Sequence, residues 1–333
     1  MPRELVHWHI LDKSREEAVR LEYDSVCKVL RSHWKQALLG AVMHDAPYYY
    51  AYGRRPEVSA ISDYLHGRHG NDTLLPLFQL PRSFMQSPHS FTSEFWAYLI
   101  GMLSHAATDI TFHPMVYYFT GNYFDEDPRK AAIAATRHRA FEVHLDSYFR
   151  EKLISFEEPR IRDLVSACTE SLTEWCKTLD SSSQVWLDPN PQHSRIIWQQ
   201  AVNDMAKIQS LALSLPVGAA LKLLKLCWAE RFAPMQALSS CGRKAAQAAF
   251  EGQLDYLHPV SGEKIATSIS DLILQARERF MAFLRPIEHL ISSTDLTPLE
   301  AFPIGGSLSF GQVGATHSQF RFCDTARFKG VLD

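Results

Sequence analysis

Two short runs of the sequence place histidines and carboxylates one helical turn apart. In the first, His105, Asp109 and His113 follow each other at intervals of four residues, and in the second, His138 precedes Glu142 by four. Because four residues make about one turn of an α-helix, the side chains of each run project from the same face and can hold one cation. The two runs lie about thirty residues apart and predict a metal cluster between neighbouring helices.

These pairs need support from their surroundings, since 15 histidines and 37 acidic residues in 333 give about two such pairs by chance. Histidine is unevenly placed, with eleven of the fifteen in residues 1–144. Imidazole and carboxylate ligands without cysteine suit Zn²⁺ in a hydrolytic site, although ligand type alone leaves iron and manganese open. The first half of the chain is therefore the candidate metal-binding region.

Long segments of apolar periodicity predict the helices that position these residues. Apolar residues recur at helical spacing over 14–39, 91–112 and 128–153, and a proline opens the third segment, as is common at a first helical position. Pro114 disfavours helical backbone at the residue before it, so we expect the second helix to end at about His113.

The rest of the sequence is also mostly helical in its pattern. Helices are predicted at about 159–178, 194–213, 217–230, 241–251 and 264–293. Strands do not alternate regularly with helices and no internal repeat is present, which disfavours a doubly wound α/β fold. We expect an all-α, multi-helix bundle over residues 1–296, followed by a less regular C-terminal tail over 297–333.

The composition is that of an ordinary globular protein, with 46% hydrophobic residues, 21% charged residues and a formal net charge of −3. This charge argues against a broad nucleic-acid-binding surface but allows a small anionic substrate held by metal ions. No apolar run of about 18 residues predicts a membrane span, and the first residues lack the apolar core of a signal peptide. Six scattered cysteines without a Cys-x-x-Cys pair fit reduced thiols, so we expect a cytoplasmic protein.

An ordered set of eight residues resembles the zinc-dependent phospholipase C family. The set, in chain order, is His7, Asp45, His66, His105, Asp109, His113, His138 and Glu142. The residues that flank the first three support the match, and the resemblance extends over about residues 5–150. The family is related to the single-strand-specific zinc nucleases, and glycosylphosphatidylinositol phospholipase D has a similar N-terminal domain.

The resemblance implies an all-α domain that binds two to three zinc ions. It assigns Asp45, His66, His105 and Asp109 to one ion, His113, His138 and Glu142 to a second, and His7 to a third that Asp109 bridges to the first. Clustered dications stabilise a phosphoryl oxygen and lower the pKa of a coordinated water. Asp45, as a carboxylate beside the cluster, is the candidate general base.

The sequence departs from the family near the first ligand and leaves two choices open. Secreted members complete the third site with an N-terminal amine about a dozen residues before the first histidine, whereas six residues precede His7 here. The third site then lacks this ligand, recruits another group such as His9, or stays empty. His9 is also an alternative to His7 itself, and His69 is an alternative to His66.

A second departure concerns the substrate. Ala46 follows Asp45 where choline-binding members place an aromatic residue, so phosphatidylcholine specificity is not expected. Four tyrosines follow closely and either line a substrate wall or pack in the core: Tyr48, Tyr49, Tyr50 and Tyr52.

The leading functional hypothesis is a zinc-dependent hydrolase that cleaves a phosphate ester, with a phosphodiester first among the candidates. Its substrate is then a small phosphate ester or a phospholipid headgroup. A nuclease-type phosphodiesterase is the nearest alternative, but no basic and aromatic run indicates a single-strand groove. A metal-binding scaffold without turnover and a metal-dependent tailoring enzyme for a small metabolite remain open, because fold does not fix function.

Overall fold

The chain folds into helices over most of its described length, as the sequence predicts. The computed structural model describes residues 4–85, 91–154, 156–186, 197–212, 244–293 and 302–332. The helices are α1 (Glu4–Arg20), α2 (Asp24–Ser32), α3 (Trp34–Met43), α4 (Ala46–Tyr49), α5 (Pro56–Leu65), α6 (Leu75–Met85), α7 (Ser93–Thr120), α8 (Pro128–Lys152), α9 (Ile161–Ala167), α10 (Thr169–Trp186), α11 (Ile197–Ala212), α12 (Lys244–Phe250) and α13 (Ile269–Ser293). Strands in these ranges are limited to one antiparallel pair, β1 (Tyr256–Leu257) and β2 (Lys264–Ile265). The all-α prediction is confirmed.

Helix α7 is the centre of the fold and is buried along almost its whole length. It packs closely on α3, where glycines allow the two backbones to touch. A Cβ atom on Gly101 would lie 2.2 Å from the Ala37 carbonyl oxygen, and one on Gly40 would lie 2.2 Å from the Tyr98 carbonyl oxygen. Because His105 lies one turn after Gly101, this contact brings it beside the end of α3.

The predicted helix over 14–39 is wrong as a single element, since the structure forms α1, α2 and α3 there. Glu22 adopts a left-handed backbone with φ of 58°, which ends α1, and His33 (φ −131°, ψ 42°) separates α2 from α3. Each short helix turns an apolar side to the same core, so the apolar periodicity continues across both breaks.

The prediction that the second helix ends at His113 is also wrong. Helix α7 continues through Pro114 to Thr120. Proline has no backbone N–H, so the Ile110 carbonyl loses its intrahelical donor. Burial of the side chains before and after Pro114 keeps the helix continuous.

Other helix boundaries agree in part with those predicted from the sequence. Helix α8 begins at Pro128, and the Asp127 side chain accepts a hydrogen bond from the Arg129 N–H at 2.9 Å. The segment predicted as a helix over 159–178 divides into α9 and α10, and α13 begins only at Ile269 because 264–265 pairs as β2.

The predicted helix over 217–230 lies outside the described residues. The boundary between 296 and 297 lies outside them too, so the domain division stays a prediction. In the described part of the tail, 302–332, the regular elements are two 3₁₀ turns, His317–Gln319 and Ala326–Phe328. Among the helices described, none combines the length and apolarity needed to cross a membrane.

Candidate metal centre

All eight residues expected from the sequence are buried and lie together in the helical bundle. None is more than 7% exposed. Helix α1 carries His7, the α3–α4 junction carries Asp45, the residue after α5 is His66, α7 carries His105, Asp109 and His113, and α8 carries His138 and Glu142. Five imidazoles and three carboxylates are therefore removed from water together, which is costly unless they are paired or bind a cation.

The ligand atoms form three groups, within each of which they lie no more than 4.8 Å apart. The groups are His7, His105 and Asp109; Asp45, His66 and His105; and His113, His138 and Glu142. The grouping differs from the family assignment in two ways: His105 belongs to two groups, and Asp109 is grouped with His7 and His105 rather than with Asp45 and His66.

In the group of Asp45, His66 and His105, one carboxylate oxygen lies between two imidazoles. Oδ1 of Asp45 is 3.2 Å from Nε2 of His66 and 3.6 Å from Nε2 of His105. These separations place the donor atoms around one small volume.

Asp109 faces two groups with its two oxygens. Its Oδ2 lies 3.1 Å from Nε2 of His105 and 3.6 Å from Nε2 of His66, while its Oδ1 lies 3.6 Å from Nε2 of His7. A carboxylate that presents one oxygen to each of two sites has the geometry of a bridging ligand.

The third group joins α7 to α8. Oε1 of Glu142 lies 2.9 Å from Nε2 of His138 and 3.8 Å from Nε2 of His113. The spacing of four residues on α8 brings His138 and Glu142 to one face, as the sequence predicts.

Backbone carbonyls orient three of the imidazoles. Nδ1 of His66 bonds to the Ser62 carbonyl at 2.7 Å, and Nδ1 of His105 bonds to the Ala41 carbonyl at 2.9 Å. Nδ1 of His113 bonds to the carbonyl of residue 308 at 2.8 Å. Since a carbonyl oxygen only accepts, the proton lies on Nδ1 and the Nε2 lone pair faces the site.

The atoms that face the site are those that a metal ion would satisfy. Within the described part of the chain, Nε2 of His7, His66, His105 and His113 and both oxygens of Asp109 are buried without a hydrogen-bond partner. Buried polar atoms normally have partners, and this donor set of imidazole and carboxylate suits Zn²⁺. The residues present therefore fit the metal.

Burial favours the neutral, metal-binding form of two imidazoles. It lowers the pKa of His7 well below its usual value and that of His113 to about 4. At His105 burial acts in the same direction, but the carboxylates of Asp109 and Asp45 outweigh it and raise the pKa to about 9. Without a metal ion, a proton on His105 would balance these carboxylates.

The two histidines in each open choice differ in position. His9 packs its ring edge against Phe149, with ring centroids 5.3 Å apart, and belongs to none of the three groups. His69 is exposed, whereas His66 is buried among the ligands. Asp146 does not lie in a ligand group either; it accepts hydrogen bonds from the N–H groups of Leu5 and Val6 at the start of α1, each at 3.4 Å.

His44 belongs to the site's surroundings and is missed by the sequence reasoning. Its ring stacks on His105, with centroids 4.6 Å apart and planes 4° apart, and His7 also stacks on His105 at 4.1 Å and 5°. Burial lowers the pKa of His44 well below its usual value. The rings of His44 and His7 stacked on either side restrict rotation of the His105 ring. The position of His44 directly before Asp45 is the only sequence signal for it.

The protein is thus an all-helical one that buries three adjoining groups of imidazole and carboxylate side chains, each a candidate site for a divalent cation. A family model described as zinc dependent phospholipase C matches residues 6–187, more than half of the chain. The chain belongs to this family and is a zinc-dependent phosphoric diester hydrolase. The resemblance seen over about 5–150 is thus confirmed and extended. No curated protein and no solved structure gives a significant match.

Proposed function

We propose that this protein cleaves the phosphodiester of a phospholipid headgroup and that the eight buried residues hold its zinc ions. The observation that carries the proposal is the orientation of the imidazoles: Nδ1 of His66, His105 and His113 is bonded to backbone, so that each Nε2 faces the carboxylates. A phospholipid substrate is what the family implies.

The ligand count supports two complete zinc sites and a weaker third. His105 belongs to two groups, but its Nδ1 is bonded to Ala41, so it offers one nitrogen to one ion. Assigned to Asp45 and His66, it leaves His7 and Oδ1 of Asp109 as the only described side-chain ligands of the third site. We expect two tightly bound ions per chain and a third of lower affinity.

Zinc bound at these groups supplies charge stabilisation for a phosphoryl oxygen and lowers the pKa of the attacking water. Asp45 is the carboxylate best placed to take the proton from that water. Its side chain is 10% exposed, against 6% for Glu142 and 0% for Asp109, so it is the carboxylate of the site nearest to solvent. Asp45 is also one of the eight ligands, whereas Asp109 and Glu142 are assigned ligand roles alone.

The residues beside Asp45 and His66 argue against a quaternary ammonium headgroup. The Tyr48 ring lies 5.6 Å from that of His66, and its hydroxyl donates to Oδ1 of Asp63 at 3.0 Å. Arg68 donates to the other oxygen of Asp63. Because the guanidinium already neutralises this carboxylate, Asp63 offers no free negative charge to a cationic headgroup.

The experiment measures zinc and hydrolysis in the same preparations. Elemental analysis should find two to three zinc ions per chain, and a panel of phospholipids should release diacylglycerol, with phosphatidylcholine not the preferred member. Asp109→Asn and Asp45→Asn should abolish turnover, and His66→Ala should lose zinc. His69→Ala is the matched control, because His69 is exposed and only three residues away.

The proposal would be contradicted if the purified protein contained no zinc and bound none when zinc was added. Bound zinc with hydrolysis of single-stranded DNA but of no phospholipid would favour the nuclease alternative. Bound zinc with no phosphodiesterase activity would favour the scaffold or the tailoring enzyme.

We also propose a reducing compartment, the cytoplasm, for this protein. The four cysteines in the described residues are unpaired, and Cys168 and Cys176 are buried. Fractionation of cells that express a tagged chain tests this, and a tagged protein found in a secreted fraction would contradict it.

A further inference from the structure

A short loop near the C-terminus, residues 305–311, contacts two of the ligand groups. The Leu308 N–H donates to the His66 carbonyl at 3.0 Å, and the Leu308 carbonyl accepts the hydrogen bond from Nδ1 of His113 at 2.8 Å. His66 and His113 belong to different groups. One buried residue of this C-terminal loop therefore joins both.

The C-terminal loop is itself anchored at several points. Thr73 donates through its hydroxyl to the Gly306 carbonyl at 2.8 Å, and Asp72 accepts from the Gly305 N–H at 2.7 Å. Nε2 of His258 bonds to the Phe310 carbonyl at 2.7 Å. These contacts anchor the loop to the segment after His66 and to the turn that follows β1.

Gly311 fits the loop against α7 between two ligands. It has φ of +72°, and a Cβ atom there would lie 2.6 Å from the Ile110 carbonyl oxygen. Ile110 is the residue after Asp109, and its carbonyl lacks a helical partner because residue 114 is proline. Only glycine allows the loop to lie this close without displacing one of the two backbones.

We propose that the C-terminal loop is a positioning element of the metal centre. Through the Leu308 carbonyl it fixes His113 as the tautomer that carries its proton on Nδ1, so that Nε2 faces Glu142. Through the Leu308 N–H it holds the backbone at His66. The loop lies outside residues 6–187 that the family model matches. The inference rests on the proposed metal centre and adds a part of the chain to it.

Gly311→Ala and Gly314→Ala form a matched pair for the test. Both glycines have left-handed backbones, with φ of +72° and +73°, so alanine costs similar backbone strain at each. A Cβ atom at residue 314, however, meets nothing within 4 Å. Only the variant at 311 displaces the loop from α7.

Two readouts separate positioning from general stability. Zinc affinity, measured by competition with a chromophoric chelator, should fall about 10- to 100-fold in Gly311→Ala relative to Gly314→Ala, the usual cost of losing an outer-shell partner. Ring ¹⁵N spectra of the metal-free proteins, with His113→Gln to assign the signal, should show Nδ1–H at His113 in Gly314→Ala and not in Gly311→Ala. If Gly311→Ala does not fold, Thr73→Val removes one anchor of the loop and takes its place.

Equal zinc affinity in the two variants would overturn the proposal, whether or not the tautomer changes. If the wild-type protein binds no zinc, the proposed function fails, and the ring spectra alone decide on the loop: an unchanged His113 tautomer in Gly311→Ala then overturns it, and a lost Nδ1–H supports it.

Discussion

His105 and His113 lie two turns apart on the same helix, yet different parts of the chain orient them. His105 bonds to the Ala41 carbonyl on α3, at a crossing where Gly40 and Gly101 bring the two backbones into contact. His113 bonds to Leu308 on the C-terminal loop, which has no regular secondary structure. One ligand is thus fixed by the packing of two helices and the other by a loop held through individual hydrogen bonds. Helix packing resists local opening more than such a loop does.

The largest expected effect comes from removing zinc, because the groups of His105 and of His113 both lose the ions proposed to hold them together. At free zinc a thousand times its dissociation constant, binding stabilises the fold by about 4 kcal/mol. A chelator should therefore lower the midpoint of urea unfolding by a corresponding amount. Hydrogen exchange should accelerate more at the Leu308 N–H than at the N–H groups of α3. Equal acceleration in both regions would remove the distinction between them.

Gly101→Val should disrupt the contact between α3 and α7 that orients His105. The new side chain meets the backbone of α3, which cannot move out of the way by changing rotamer, so we expect a loss of about 3 kcal/mol or more in unfolding free energy. Ala132→Val, at an exposed position of α8, measures the ordinary cost of valine in a helix. Urea denaturation compares the two. A similar small loss of unfolding free energy in both variants would mean that α3 and α7 can move apart at little cost.

His258→Ala should instead weaken the anchoring of the C-terminal loop, which orients His113. The Phe310 carbonyl loses its buried donor, at a cost of about 1–3 kcal/mol in unfolding free energy. Thermal unfolding measures this cost, and chelator competition measures the zinc affinity, which we expect to fall. His289→Ala, on α13, is a control outside the ligand groups. An unaltered zinc affinity in His258→Ala would show that the other anchors suffice.

The smallest effect is expected at Asp180, away from both regions. Burial raises its pKa to about 6, although the N–H groups of Ile197 and Trp198 donate to it. The folded protein therefore keeps a proton that the unfolded chain has lost, so this carboxyl destabilises the fold as pH rises from about 4 through 6. Asp180→Asn stays neutral and still accepts both hydrogen bonds.

The asparagine variant should unfold at a higher temperature than the wild-type protein at pH 8 and at nearly the same temperature at pH 4. Thermal unfolding across this range measures the difference, and zinc affinity should not change. A variant that is less stable at pH 8 than at pH 4, relative to wild type, would reverse the assigned sign.

Local spacing predicts five of the eight candidate ligands, and the family resemblance adds His7, Asp45 and His66. His105, Asp109 and His113, like His138 and Glu142, repeat at the period of a helix, and each set does form one face of a helix. Sequence alone could not choose between His66 and His69, since both precede a glycine. The choice depends on where α5 ends: the His66 N–H still bonds to the Ser62 carbonyl, while His69 has left the bundle.

Non-local contacts explain what the sequence did not reveal. The residue before a proline disfavours helical backbone, which predicted a helix end at His113. Burial of side chains on both sides of Pro114 instead keeps α7 helical to Thr120. The irregular tail carried no periodic signal, yet Leu308 in it bonds to two candidate ligands. These contacts join residues far apart in the chain, and no rule of residue spacing encodes them.

The hydrogen bond from His113 to Leu308 joins residues 195 positions apart and so sets an order of events during synthesis. At about 5–20 residues per second, a ribosome needs about 10–40 s to travel from one to the other. During that interval the nascent chain already contains Ala41 and the side of the centre around His105, but the carbonyl that orients His113 does not yet exist. His105 and His113 therefore become ready for metal at different times, and the group that contains His113 is completed only after Leu308 has been synthesised.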